Sequence, residues 1–357
     1  MKKVKVIILQ GTVCKYREPL FNLLSERFNL TIGYTKETEY KPVNYKIEKV
    51  SFLKIFSFSF PTISFFRYLN KFDVIIIMPD MHYFNYCILP FLPLKSKIIS
   101  WSIGMRASYR LKYEIKRKKE LLDYVFLSIL NKCDANIFYY EYPKVFWGKL
   151  MNNNNTFVAY NTVKVLENNS FSKKRNTILF LGTLIKEKGI MMLIELYNEL
   201  LKDHLAFSLK LKIIGAGPLE SEINNYIKTQ KLSDNIQMCG PIYDESILKN
   251  HFSSALLCIS PNQAGLSVLK SMGYGVPFAT SFDATTGGEK YSITDGVNGL
   301  FYNTRDELKD ILLDTSNDPQ KFLKMGINAK KFYTKKATIE TMSTGFISAI
   351  EYVLSKK

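Results

Sequence analysis

Residues 260–278 read SPNQAGLSVLKSMGYGVPF, and the fold turns on this stretch. A loop of small and polar residues runs into LSVLKSM, which has helical spacing. Gly273 and Gly275 then stop the helix, and VPFAT continues as a strand. A glycine loop that opens a helix can hold an anion, because the first turn leaves free amide N–H groups. The loop contains no acid and no histidine, and Lys270 stands on the helix where a catalytic site would want a carboxylate.

The same strand–turn–helix grammar extends to both sides. Towards the N-terminus, NTILFLGTL, SLKLKIIGAG, NIQMCGPI and ALLCISP read as strands. GIMMLIELYNELLKD, PLESEINNYIKTQKL and ESILKNHFSSA between them read as helices. NGLFYN adds a short strand, and two helices end the chain. The first half begins with KVKVIILQ, then the helix REPLFNLLSERF and the strand NLTIGYT. DVIIIMP, SKIISWSIG, ANIFYY and TFVAYNTV continue it, with the helical KELLDYVFLSILNKC among them. Alternating strands and helices predict α/β architecture with parallel sheets covered on both faces. Two doubly wound, Rossmann-like halves are expected, joined near 159–176 and facing across a cleft. Ligands in such sheets sit at the carboxyl ends of strands.

Composition agrees with this and narrows the function. A chain of 357 residues suits two domains, and 46% hydrophobic content excludes a disordered chain. No apolar run is long enough for a spanning helix. The start, MKKVKVIILQGTV, reads as a buried first strand and not as a leader, since its apolar core is short and no small-residue cleavage site follows. Five scattered cysteines and three histidines show no metal-ligand spacing, which points to a reducing cytoplasm and metal-free chemistry. The net charge of +17 is uneven: residues 1–160 carry 25 Lys+Arg and 12 Asp+Glu, residues 161–357 carry 24 and 20. A basic first half favours an anionic partner. Residues 52–69 are crowded with phenylalanine, with Lys46, Lys49, Lys54, Arg67 and Lys71 within or beside them. Residues 106–122 interleave many basic residues with Tyr and Leu. Both segments suit contact with an anionic membrane surface; a solvated basic face over an ordinary core is the bland alternative. No nucleic-acid motif is present.

Three glycine turns lie on strand ends of the second half. LGTLIKEKG (181–189) places Gly182 at the turn and Lys186 and Lys188 where the next helix begins. IIGAGPLE (213–220) carries Gly215 and Gly217 before Pro218, and the third turn is Ala264–Gly265. One such turn is ordinary packing; three on one sheet edge point to a nucleotide diphosphate. In the first half, GTVCKYREPLF puts Gly11 at a strand end and Arg17 just before a helix, where a guanidinium can pair with phosphate or simply lie on the surface.

The ordered set ILFLGTLIKEKGIMMLIE, LKIIGAGPLESEI, ISPNQAGLSVLKSMGYGVPFAT and ITDGVNGLFYN resembles the GT-B glycosyltransferases, specifically glycosyltransferase family 4. The resemblance covers nearly the whole chain and is strongest over 178–302. It implies residues 1–160 as an acceptor-binding, membrane-associating domain, 161–340 as the nucleotide-sugar domain, and 341–357 as a helix returning to the first domain. It further implies retaining chemistry without a protein nucleophile or a metal. The family's G-R-L arginine is Thr183 here, while its lysine matches Lys188. The two acids of its E-x7-E element are Asn262 and Lys270, and a first-domain histidine is Ile103. The chain is more similar to a branch of bacterial surface-polysaccharide transferases that lacks both acids. There Glu289, in TTGGEKYSI, matches a glutamate that follows a similar turn and is the candidate acid of the second half.

The expected site therefore has Lys188, Asn262, Glu289 and Arg17 as catalytic groups. Gly11, Gly182, Thr183, Gly215, Gly217, Ala264, Gly265, Leu266, Ser267 and Lys270 would bind the donor. The expected function is transfer of a sugar from a nucleotide-diphosphate sugar to a lipid-diphosphate-linked or glycan acceptor. The expected place is the cytoplasmic face of the plasma membrane. A nucleotide-sugar epimerase of the same fold, or a binding protein without turnover, stays open beside it.

Overall fold

Continuous apolar runs become middle strands of parallel sheets, as they must when helices cover both faces. The computed structural model describes residues 3–36, 40–50, 52–55, 58–60, 62–80, 84–106, 117–167 and 175–356. The chain divides into two compact units, Met1–Asn161 with Thr338–Lys357, and Thr162–Ala337.

The first unit begins with β1 (Lys5–Gln10), α1 (Glu18–Arg27), β2 (Asn29–Tyr34) and β3 (Lys46–Lys49). A short antiparallel hairpin follows, β4 (Leu53–Ile55) with β5 (Phe58–Phe60). Then come α2 (Ile63–Leu69), β6 (Val74–Ile77), α3 (Phe84–Ile88), β7 (Lys97–Ser102), α4 (Leu121–Lys132), β8 (Ala135–Phe138), α5 (Tyr142–Trp147) and β9 (Thr156–Val158). The sheet order is β3-β2-β1-β6-β7-β8-β9, every neighbour parallel. Successive residues of β1 face opposite layers. Val6 and Ile8 pack with Leu24, Trp101 and Phe346, and Ile7 and Leu9 pack with Phe65 and Tyr86. Phe346 comes from the C-terminal helix Ile339–Ser355, which starts on a Thr338–Thr341 capping box and sets its ring edge-on to Trp101 at 4.8 Å.

The second unit runs β10 (Thr177–Leu181), α6 (Ile190–Asp203), β11 (Lys210–Ile214), α7 (Glu220–Thr229), β12 (Ile236–Gly240), α8 (Glu245–Ser253) and β13 (Ala255–Ile259). It continues with β14 (Gln263–Ala264), α9 (Leu266–Gly273), β15 (Phe278–Ser281), β16 (Thr285–Thr286), β17 (Gly299–Tyr302), α10 (Arg305–Asn317) and α11 (Pro319–Lys336). Its sheet is β12-β11-β10-β13-β15-β17, again all parallel. Leu193, Ile194, Tyr197 and Leu200 of α6 bury one stripe against Ile178, Phe180 and Ile213 of the sheet.

Strand order reverses between β1 and β6 in one sheet and between β10 and β13 in the other. Such switch points open a crevice at the carboxyl ends of the two strands. Among the described residues no helix is long and apolar enough to cross a membrane.

Candidate active site

The crevice of the second unit lies where β10 and β13 end. After β10 the chain turns at Gly182, passes the exposed Thr183 and enters a 3-10 turn, Lys186–Lys188. Gly189 then adopts a left-handed φ of 71° and starts α6 without a side-chain cap. The left-handed turn folds the lysine back. Lys188 Nζ lies 2.6 Å from where a β-carbon on Gly182 would sit. The neighbouring turn is zipped onto this one through backbone. Gly182 N donates to Ile214 O at 2.9 Å and Leu184 N to Ala216 O at 3.0 Å. A β-carbon on Gly215 would stand 1.8 Å from Gly182 O, and one on Gly217 2.6 Å from Leu184 O. Gly215 and Gly217 thus let two turns meet at backbone distance, which sets the height of Gly182 and Lys188.

From the other side, β13 delivers Ser260, Pro261 and Asn262. Asn262 N donates to Lys188 O at 3.3 Å, and the Asn262 amide nitrogen would lie 2.8 Å from a Gly189 β-carbon. The exposed Asn262 side chain is therefore fixed beside the lysine turn. Thr285 N donates to Asn262 O at 2.9 Å, and β14 pairs with β16, so Ala264 is buried and held from behind. Gly265 is the cap residue of α9 and makes no side-chain cap. The amides of Leu266 and Ser267 open the helix with the positive end of its dipole, and no acid stands in the first turn. The Ser260 and Ser267 hydroxyls are buried without a hydrogen-bond partner among the described residues.

Lys188 is half-buried and has no carboxylate partner among the described residues. Burial pulls its ammonium below the ordinary lysine value. The nearby Cys258 thiol offers no counter-charge, because full burial pushes it up to about 12 and keeps it neutral. A desolvated cation, uncapped helix amides and two unsatisfied hydroxyls share one sheet edge. Together they can accept a multiply charged, hydroxyl-bearing anion.

Other expected residues are placed differently. Lys270 does not present a free charge. Its ammonium is bound to the Glu245 carboxylate and donates to Lys164 O at 2.7 Å. Tyr274 OH donates to the second Glu245 oxygen at 2.8 Å. Glu245, at the start of α8 beside the Asp244 cap, is an acid the sequence pattern did not single out. Its only sequence signal is an acidic helix start. Glu289 is buried, and its Oε2 accepts from Gly287 N at 3.0 Å and Thr286 Oγ1 at 3.2 Å. The carboxylate folds back on its own turn instead of reaching outward as a free acid.

At the crevice of the first unit, Gly11 O accepts from Lys36 N at 2.9 Å and Thr35 Oγ1 at 3.0 Å, so this glycine anchors a loop. The Arg17 guanidinium lies 4.1 Å over the Trp101 ring and donates to Tyr139 OH at 2.7 Å and Tyr16 OH at 2.9 Å. It is held by aromatic residues and carries no counter-ion among the described residues. Gln10, the last residue of β1, and Asn85 of α3 are buried with both amide atoms unpartnered among the described residues. Neither was expected from the sequence, since a short amide in an apolar run gives no periodic signal.

Residues 164–332 match the family described as glycosyl transferases group 1. The match runs through nearly all of the second unit, Thr162–Ala337. An uncharacterized glycosyltransferase of Haemophilus influenzae is 27% identical over 198 residues, which is 54% of this chain and 54% of that protein. The alpha-monoglucosyldiacylglycerol synthase of Acholeplasma laidlawii is 24% identical over 178 residues, 48% of this chain and 44% of that protein. The chain thus spans about half the length of the curated relatives it matches. The crystal structure of Anabaena Alr3699/HepE in complex with UDP superposes with a TM-score of 0.72, covering 98% of this chain and 100% of that one at 14% identity. At that identity the likeness shows the fold, which is GT-B.

Proposed function

We propose that the chain is a retaining glycosyltransferase that moves a sugar from a nucleotide-diphosphate sugar to a lipid-linked or glycan acceptor in bacterial surface-glycan assembly. One observation carries this reading. The Lys188 ammonium is desolvated with no carboxylate partner among the described residues, and its turn is bonded to Asn262, on the segment that leads into the uncapped start of α9. The UDP complex of a protein with this fold supports a nucleotide donor. A relative named as a synthase of a glycolipid, alpha-monoglucosyldiacylglycerol, supports a lipid acceptor.

When the sugar–phosphate bond breaks, negative charge builds on the leaving diphosphate. Lys188 and the amides at 265–267 face that charge without reorganising, which is electrostatic stabilisation in a desolvated site. Hydrogen bonds to charged groups contribute about 1.5–3 kcal/mol each. The Asn262 amide can donate to and accept from a sugar hydroxyl. Lysine and helix amides take the role a divalent cation plays elsewhere, so transfer is expected to persist in EDTA.

The test is turnover of UDP-, GDP- and other nucleotide sugars, read as released nucleotide with and without lipid-linked acceptors. Release from one donor, stimulated by an acceptor, supports transfer. Thermal stabilisation by a nucleotide sugar with no release from any would leave a binding protein and overturn the catalytic reading.

A further inference from the structure

Glu245 brings a carboxylate to α9 from a different helix. β12 ends at Gly240, whose carbonyl accepts from Gly215 N at 2.9 Å, so the loop after β12 leaves from the same sheet edge as the turns that seat Lys188. The chain then starts α8 with Asp244 as its cap, bonded to Ser246 N at 2.7 Å and Ile247 N at 3.2 Å. Asp244 serves the helix amides, so the next residue, Glu245, is not needed there.

On α9, Lys270 follows Leu266 by four residues and Ser267 by three. It therefore lies on the face that opens with their amides, about 6 Å further along the axis. The Glu245 carboxylate is bound to the Lys270 ammonium and so stands about one helical turn from those amides. In a nucleoside diphosphate, the ribose is the group joined to the phosphates. A diphosphate on the amides brings ribose hydroxyls within that turn.

The carboxylate is held from behind. One oxygen binds Lys270, and the other accepts from Tyr274 OH at 2.8 Å. Lys270 also donates to Lys164 O at 2.7 Å, and the buried Tyr274 ring stacks on Phe252 with centroids 4.9 Å apart. Both partners are themselves fixed. A carboxylate has about four acceptor positions, and these two bonds use half of them. The Glu245 side chain is 30% exposed against 12% for Lys270, which leaves the remaining positions on its open side. Glu289, on a turn packed beside α9, directs its carboxylate to its own loop instead.

We propose that Glu245 is the residue that selects the nucleoside: its carboxylate accepts from the 2′- and 3′-hydroxyls of a ribose, with Lys270 as its positioning residue. The inference rests on the donor reading above and narrows it to ribonucleoside diphosphate sugars. A vicinal diol presents two O–H donors side by side, which suits a carboxylate with two fixed oxygens. A 2′-deoxyribonucleoside leaves one ionised oxygen without a donor, and a site built to bind a hydroxyl rejects the analogue that lacks it.

Calorimetric titration of the full chain compares UDP with 2′-deoxy-UDP and GDP with 2′-deoxy-GDP. The ribonucleotide that binds the wild type should do so about tenfold or more tightly than its 2′-deoxy counterpart. Glu245→Gln should make the two affinities equal. Lys270→Met, which frees the carboxylate to turn, should shrink the same ratio; a merely structural lysine would lower the thermal midpoint and leave the ratio alone. If Glu245→Gln misfolds, Glu245→Gln with Lys270→Met removes the unpaired ammonium and is titrated in its place. Equal affinity of the wild type for both members of a pair overturns the proposal and leaves the donor reading standing. A preference that survives loss of the Glu245 carboxylate also overturns it. Failure of every nucleotide to bind the wild type overturns the donor reading and this inference with it.

Discussion

The Lys188 ammonium occupies the space a side chain on Gly182 would need, with Nζ 2.6 Å from the position of that β-carbon. The two residues are linked through one turn, so the glycine is what allows the lysine to lie over the strand end. Gly182→Ala should push the ammonium out. Its φ of 157° adds strain for any residue with a β-carbon. The expected result is a loss of transfer of tenfold or more with a stability loss of about 1–3 kcal/mol, measured by kcat/KM and denaturant unfolding.

Lys188 has the signature of a group kept for binding at a cost to folding. Its ammonium is desolvated without a carboxylate partner among the described residues, and its pKa in the folded chain is depressed. Between that value and the ordinary lysine value the unfolded chain binds more protons, and stability therefore rises with pH through this window. Lys188→Met should flatten that rise and leave stability at neutral pH unchanged or higher by about 1–2 kcal/mol. Urea unfolding across the alkaline range checks both. A bound diphosphate favours the charged form, so donor affinity in the wild type should fall as pH climbs through the depressed pKa, below where an ordinary lysine would titrate.

The Lys270–Glu245 pair makes a different expectation. Lys270 is bound to the Glu245 carboxylate and to Lys164 O, with side chains 12% and 30% exposed. Burial lowers the Lys270 pKa, and Glu245 opposes the shift. Lys270→Ala leaves Glu245 half-buried beside Tyr274 and should cost about 1–3 kcal/mol. The exchange Lys270→Glu with Glu245→Lys should recover part of that loss in a double-mutant cycle. A donor-contacting lysine would instead raise KM with stability untouched.

Arg17 lies over Trp101 and donates to Tyr139, which a lysine cannot reproduce. Arg17→Lys should lose about 0.5–1 kcal/mol of stability. If the guanidinium also meets phosphate, KM for one substrate should rise at least tenfold; an unchanged KM would confine Arg17 to packing.

The strand–helix order was legible because buried parallel strands must be apolar on both faces, as in VIIL of β1 and VIII of β6. That a lysine follows the glycine turn was legible at Lys188 too; that its ammonium folds back over Gly182 was not. Side-chain direction was no more legible elsewhere. Nothing in TTGGEKYSI shows that the Glu289 carboxylate turns back to Gly287 N, and nothing near Lys270 shows that its partner comes from α8. Such pairings depend on which elements become neighbours in the sheet, which periodicity does not encode. The membrane segments expected at 52–69 and 106–122 fall partly outside the described residues: 56, 57, 61 and 107–116 are not among them. Leu121, Leu122, Tyr124 and Val125 of α4, at the end of the second segment and beyond, are exposed.

The central claim is that Lys188 and the start of α9 hold a nucleoside diphosphate. Calorimetric titration of UDP and GDP into the wild type and Lys188→Met tests it most directly. One nucleotide should bind the wild type and bind Lys188→Met at least a hundredfold more weakly, with both proteins equally folded. Equal affinity for both proteins would contradict it.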